Sequence, residues 1–201
     1  MKSKSKPVRI PEHEIAAAIE KAFAIPGLYG CDEARFLYRL ARRRGHFVEI
    51  GAWMGRTSLL LQQAAQIWGA QVTSIDPFLP ITGRAQSSPE RWAKNVQGQG
   101  VTPPTLYVAP ATAVAQTWET PLALLFIDGD HSYRAVLEDL QLWTPFVVVG
   151  GVVALHDMFG PLIPGVAQAV TEWWLAAHDG WKSQWECVGL VNLTVAFRRK
   201  W

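Results

Sequence analysis

The chain alternates two hydrophobic rhythms. Ile15, Ala18, Ile19 and Ala22 recur at one-face helical spacing and predict a helix over residues 12–24, which Pro26-Gly27 breaks. A second helix is expected over 32–44, capped by Asp32, burying Phe36, Leu37 and Leu40, and closed by Gly45. From there the pattern changes. Short apolar runs at 47–50, 72–76, 105–108, 122–127 and 147–155 predict strands, with helical segments at 57–68, 89–98, 111–118, 132–142 and 164–177 between and after them. The 122–127 run is apolar at every position, as in a central strand covered on both faces. Residues 185–188 and 193–198 predict a closing antiparallel pair, and 79–90, rich in Pro, Gly and Ser, reads as a loop. Strands alternating with helices are the mark of a parallel sheet flanked by helices, an α/β fold.

Composition narrows the function classes. The 201 residues suit one α/β domain, and 49% hydrophobic content allows a sizeable core. A net charge of only +2, from 19 basic and 17 acidic residues, argues against an electrostatic nucleic-acid binder. The basic clusters, Lys2, Lys4, Lys6 and Arg9, then Arg42, Arg43 and Arg44, read as a solvated tail and a helix end. The two cysteines, Cys31 and Cys187, form neither a disulfide framework nor a Cys-x-x-Cys zinc pair, so a reduced cytoplasmic compartment is expected. There is no secretory apolar region near the start. The longest apolar stretch, 146–155, is too short for a bilayer, so no membrane partner is expected. Ten tryptophans, including Trp173, Trp174, Trp181, Trp185 and Trp201, leave core, substrate wall or a homodimer interface open.

Candidate chemistry gathers at the carboxyl ends of the strands, where open α/β sheets bind ligands. Glu49-Ile50-Gly51-Ala52-Trp53-Met54-Gly55 is a strand-to-helix turn. Gly51 permits a tight turn, and the next helix presents unpaired N–H groups. The Gly-x-x-x-Gly spacing differs from the Gly-x-Gly-x-x-Gly dinucleotide fingerprint. An acid two positions before the first glycine suits a cationic ligand better than a pyrophosphate. Asp76 ends the following strand, where an acid accepts ribose hydroxyls. Two further strands end in Asp128-Gly129-Asp130-His131 and in His156-Asp157. If those strands are neighbours, carboxylates and imidazoles converge, and such groups need partners or a cation when buried.

Four segments in order carry a resemblance: Val-Glu-Ile-Gly-Ala-Trp-Met-Gly-Arg-Thr-Ser (48–58), Ser-Ile-Asp-Pro-Phe (74–78), Leu-Phe-Ile-Asp-Gly-Asp-His-Ser-Tyr (125–133) and Gly-Gly-Val-Val-Ala-Leu-His-Asp (150–157). Over about residues 27–170 the chain resembles the class I S-adenosylmethionine-dependent methyltransferases, in particular the small O-methyltransferase-like group. The resemblance implies a Rossmann-like three-layer αβα sandwich whose mostly parallel seven-stranded sheet has an antiparallel last strand. It implies a single methyltransferase domain over 27–201, after a basic tail and helix over 1–26. It implies S-adenosylmethionine held by Glu49, Gly51, Ala52, Gly55, Thr57 and Ser58, by Asp76, Pro77 and Phe78, by Ala111 and Thr112, and by Asp128 and His131. Glu49 and Gly51 would face its methionine end, Asp76 its ribose, and residues 109–112 its adenine.

Metal-dependent relatives hold magnesium at the positions of Asp128, His156 and Asp157, which makes magnesium or manganese the candidate ions. His156 stands where those relatives have Asp or Glu, and magnesium prefers oxygen. The expected catalytic set is Asp128, His131 and His156, with an imidazole taking the proton of a small-molecule hydroxyl. The loop around Arg84, the Trp173/Trp174 pair and Tyr29 are candidates for contacting the acceptor. Rival readings are a non-catalytic adenosylmethionine- or nucleotide-binding module, a nicotinamide-dependent oxidoreductase and a metal hydrolase. The missing dinucleotide fingerprint weakens the oxidoreductase, and the missing His-x-x-x-His spacing weakens the hydrolase.

Overall fold

A computed structural model describes residues 11–80, 85–160, 162–179 and 182–201. The basic tail, Arg84 and Trp181 lie outside the described residues. The helices are α1 (Glu12–Phe23), α2 (Cys31–Leu40), α3 (Arg56–Trp68), α4 (Pro89–Gln97), α5 (Ala111–Ala115), α6 (Tyr133–Trp143) and α7 (Pro164–Ala176). The strands are β1 (His46–Ile50), β2 (Gln71–Ile75), β3 (Thr105–Tyr107), β4 (Leu122–Ile127), β5 (Val147–Leu155), β6 (His178–Asp179), β7 (Lys182–Ser183), β8 (Trp185–Val191) and β9 (Thr194–Arg199).

Seven strands form one sheet in the order β3-β2-β1-β4-β5-β9-β8, and β6 and β7 make a separate two-stranded ribbon. β1 to β5 pair in parallel, whereas β9 runs antiparallel between β5 and β8. The last strand is therefore the reversed one, as the resemblance implied. Strand order turns back between β1 and β4, and this switch point opens a crevice at the carboxyl ends of both strands.

Side-chain alternation divides the core into two layers. Phe47, Leu124, Phe126, Val152 and Ala154 face α1, α2 and α3, through Ile15, Ile19, Leu37, Tyr38 and Leu60. Val48, Leu125, Ile127, Val153 and Leu155 face α6 and α7, through Val136, Leu140, Trp143, Val166 and Val170. The β4 strand is buried at all six positions because both of its faces are covered.

Four local expectations change. Asp32 does not cap α2: Gly30 occupies that position, and its N–H donates to Glu33 Oε2 at 3.0 Å. The helix also ends at Leu40 rather than near residue 44, because Arg43 turns inward. It donates to the carbonyls of Leu40 at 2.7 Å, Ala123 at 3.3 Å and Gly150 at 3.0 Å, so this arginine is no solvated helix end. The Trp173/Trp174 pair is packing. Trp173 packs at tilted and edge-on angles against Trp185 and Phe197, and Trp174 does so against Phe197 and His178. No helix among the described residues is long and apolar enough to cross a membrane.

Candidate active site

A cavity of about 980 Å³ opens at the switch point, at the upper end of the roughly 300–1,000 Å³ usual for small-ligand sites. Its wall includes Gly51, Ala52, Thr57, Asp76, Pro77, Ala111, Thr112, Asp128, His131, His156 and Asp157. Tyr29 is there too, buried on the loop after α1.

The turn after β1 is built for close approach. Gly51 has φ +93°, and its N–H donates to the Ile75 carbonyl at 2.9 Å. A Cβ on it would sit 2.1 Å from the Asp128 carbonyl oxygen. The Asp128 N–H in turn donates to the Ile50 carbonyl at 2.8 Å, so the ends of β1, β2 and β4 are laced together. Asp76 is fixed by two backbone donors, the N–H of Trp53 at 2.7 Å and that of Phe78 at 2.6 Å. Each carboxylate oxygen keeps lone pairs for a further donor, which suits a ribose diol.

Four expected cofactor contacts stand behind this wall rather than on it: Glu49, Gly55, Ser58 and Phe78. Glu49 is fully buried, and its Oε2 accepts from the hydroxyls of Ser58 and Ser74, each at 2.5 Å. Burial pushes its pKa up to about 8 against those two hydrogen bonds. The cause is register: Glu49 shares a β1 face with Phe47, which packs into the α1–α3 layer. Ser58 also accepts from Trp92 Nε1 at 2.8 Å, so its hydroxyl is committed. Gly55 is the left-handed residue that starts α3, and Phe78 packs with Ala52, Trp92 and Val96.

At the floor, β4 and β5 are neighbours, as the convergence required. His131 Nε2 lies 3.3 Å from Asp128 Oδ1 and 3.2 Å from Asp157 Oδ2. His156 Nδ1 lies 3.5 and 3.3 Å from the same two oxygens, and its Nε2 lies 3.2 Å from Glu33 Oε1. Burial alone would lower the His156 pKa. The hydrogen bonds and charges of Asp128 and Asp157 outweigh it and raise the pKa to about 10. Burial would likewise raise Asp128, but hydrogen bonds from His131 and His156 hold its carboxyl below the ordinary range. Asp157 has φ +61°, a left-handed backbone that turns its carboxylate into the cluster. The loop carrying His131 is pressed against the start of α7, where a Cβ on Gly165 would meet the His131 carbonyl at 2.8 Å.

The donor set decides which ion it can hold. The ligating atoms of Asp128, His131 and Asp157 lie within 4.8 Å of one another, so His131 joins the expected group. Against burial, Asp128 and Asp157 together raise the His156 pKa, which makes this imidazole the cation between the two aspartates. Asp128 and Asp157 offer the carboxylate oxygens that magnesium takes, while the imidazole among them favours an ion that also accepts nitrogen, such as manganese.

Two residues escaped the sequence reading. Glu33 is buried and also accepts from the Leu193 N–H at 3.2 Å and the Thr194 hydroxyl at 3.0 Å, tying α2 to the β8–β9 turn. Asp139 on α6 is 6% exposed and reaches the cavity wall. Burial raises its pKa to about 7, with Glu138 and Asp130 adding to the rise. Its signal was a polar residue within the apolar stripe Val136, Leu140 and Trp143.

Solved structures share this fold. Cofactor-bound Rv0187 from MTB superposes with a TM-score of 0.66 at 20% identity, over 94% of this chain and 90% of that one. The O-methyltransferase TomG from Streptomyces achromogenes, in complex with SAM, gives 0.66 at 16% identity, over 96% and 92%. CalS11, a TDP-rhamnose 3'-O-methyltransferase of calicheamicin biosynthesis, gives 0.58 at 17%, over 98% and 99%. An uncharacterized protein of Acanthamoeba polyphaga mimivirus is 31% identical over 114 residues, covering 55% of this chain and 50% of its own length. The match thus spans about half of that curated relative. Residues 48–158, more than half of the chain and the stretch from β1 past the end of β5, match the methyltransferase domain family, and the chain belongs to it.

Proposed function

We propose that the protein transfers a methyl group from S-adenosylmethionine to a hydroxyl of a small molecule, with His131 as the proton acceptor. The observation that carries this reading is the position of the His131 imidazole. It sits between Asp128 and Asp157 in the same cavity as the Gly51 turn and Asp76. Family membership, together with neighbours that hold SAM, supports the cofactor.

In this reading Asp76 accepts the ribose hydroxyls, and the Gly51 turn with Thr57 receives the amino-acid end. Methyl transfer is an in-line displacement at sulfonium. The acceptor oxygen forms a bond to the methyl carbon, the carbon–sulfur bond breaks, and the electron pair stays on sulfur as S-adenosylhomocysteine leaves. Positioning dominates such a step. The acceptor hydroxyl gives its proton to His131. Asp128 and Asp157 orient that imidazole. His156, held between Glu33 and the aspartates, keeps both carboxylates aimed and balances their charge. A nitrogen-tolerant ion such as manganese is the second reading, favoured by the spacing of Asp128, His131 and Asp157; it would polarise the acceptor hydroxyl.

Calorimetry with S-adenosylhomocysteine and with NAD tests the cofactor. Heat with the first and none with the second is expected, and the opposite pattern overturns the reading. A homodimer and a cytoplasmic setting remain part of the proposal; gel filtration with light scattering reads the assembly.

A further inference from the structure

The cavity has an end that catalysis does not use. Pro110, Ala111 and Thr112, at the start of α5, face Ala135, Glu138 and Asp139 of α6 across it. The walls formed by Pro110, Ala111 and Ala135 are apolar and fit the faces of a flat ring. Asp139 is the misfit. It is buried with the core positions Val136, Leu140 and Trp143, yet among the described residues no hydrogen bond or ion pair reaches its carboxyl. Its charged neighbours are Glu138 and Asp130, both of its own sign. Of the other acids nearby, Glu138 is exposed to solvent, and Asp130 Oδ1 accepts from the Ser132 N–H at 2.8 Å. The residue is 6% exposed and lines the cavity, and a carboxyl so nearly enclosed without a donor is costly, a cost that falls when a ligand brings one.

The direction of the cofactor says which donor that is. With the amino-acid end at Gly51 and the ribose at Asp76, the purine extends toward the α5–α6 end. A purine carrying an exocyclic amine offers an N–H donor at the rim of a flat apolar ring. The α5 side contributes only the Thr112 hydroxyl, and no acid or amide, to this end of the wall. We propose that the Asp139 carboxyl accepts a hydrogen bond from the 6-amino group of the cofactor's adenine, making it the residue that selects an adenosyl ligand. The inference rests on the adenosylmethionine reading but names a contact which that reading does not require.

The test is a two-by-two comparison of binding. S-adenosylhomocysteine and its 6-deamino analogue, in which purine replaces adenine, are titrated calorimetrically into the wild type and Asp139→Leu. The wild type is expected to bind the amino form about tenfold more tightly, and Asp139→Leu to bind both forms alike. Asp139→Asn, whose amide oxygen still accepts, is expected to keep the preference. Equal preference in the wild type and Asp139→Leu, or an Asp139→Asn variant blind to the amine, overturns the proposal. Should Asp139→Leu fail to fold, Asp139→Ala is read in the same way. Absence of any S-adenosylhomocysteine binding by the wild type would strike the cofactor reading instead, so the two failures are distinguishable.

Discussion

His156 Nε2 lies 3.2 Å from Glu33 Oε1, which couples the aspartates at the cavity floor to a helix that precedes the first strand. Glu33 is buried and accepts from the N–H groups of Gly30 and Leu193 and from the Thr194 hydroxyl, with the His156 imidazole beside it. Removing one member of a buried, charged network leaves the other uncompensated, at a cost of about 3–5 kcal/mol. Glu33→Gln keeps the size but loses the charge, so a loss at the low end of that range is expected. For a chain of this length about 3 kcal/mol lowers the melting temperature by roughly 6–12 °C. A thermal scan reads it, and an unchanged melting temperature would remove Glu33 from the support of the site.

Chemistry and support separate in a second experiment. His131→Ala is expected to lower kcat by about 10²–10⁴-fold, the usual contribution of a positioned acid–base group. Its affinity for S-adenosylhomocysteine should fall far less than kcat does, because Asp76 and the Gly51 turn are untouched. Unchanged methyl transfer in a His131→Ala, His156→Ala double variant would end the assignment of an imidazole base.

Because His156 already serves as the cation between Asp128 and Asp157, activity should survive prolonged treatment with a chelator. Turnover measured after dialysis against EDTA is expected to stay within about twofold of the untreated rate, a difference worth less than half a kcal/mol. Abolished turnover that manganese restores would transfer the role to an ion at Asp128, His131 and Asp157.

Most of the frame was written in residue spacing. The turns at Gly51, Asp76, Asp128 and His156 sit at strand ends, and the periods around them change from 2 to 3.6 where the elements do. What escaped were facts about direction and distance in space. Glu49 lies in the same segment as Gly51, but the pleat of β1 turns its side chain into the layer of Phe47, where Ser58 and Ser74 hold it. Glu33 contacts Thr194 across more than 150 positions of chain, and local spacing carries no information about such a pair. Arg43 looked like one of three surface arginines. Only the neighbouring strand ends, with carbonyls at Ala123 and Gly150, distinguish it.

Glu49 also makes the fold sensitive to pH. Its carboxyl titrates at about 8 in the folded protein and at its ordinary value of 4.5 in the open chain. Between those values the folded state holds a proton that the unfolded state has released. The stability contributed is therefore fully present below about pH 4.5 and is lost as pH rises toward 8. The slope approaches 1.4 kcal/mol per pH unit for one proton. Glu49→Gln imitates the protonated form, since one amide oxygen can accept from both Ser58 and Ser74. Urea unfolding at stepped pH should show the variant losing about one proton's worth of slope between pH 5 and 8. Equal slopes in both proteins would mean that Glu49 is ionised in the fold.

Gly51 offers the sharpest steric test of the cofactor cradle. Alanine there meets two penalties, a φ of +93° and a Cβ placed 2.1 Å from the Asp128 carbonyl oxygen. Backbone, not a flexible side chain, stands in the way, so β1 and β4 must separate at the switch point. The aspartate at the head of the catalytic loop then moves with them. Gly69 supplies the control: its φ is also positive, at +66°, but a Cβ there would meet nothing within 4 Å. Gly69→Ala should cost about 1–2 kcal/mol of stability through backbone strain and leave S-adenosylhomocysteine affinity intact. Gly51→Ala should cost more stability and weaken that affinity at least about tenfold, because the strand ends that define the site are displaced. Calorimetry on the two variants decides it. If Gly51→Ala binds as well as Gly69→Ala, the turn after β1 does not shape the cofactor site.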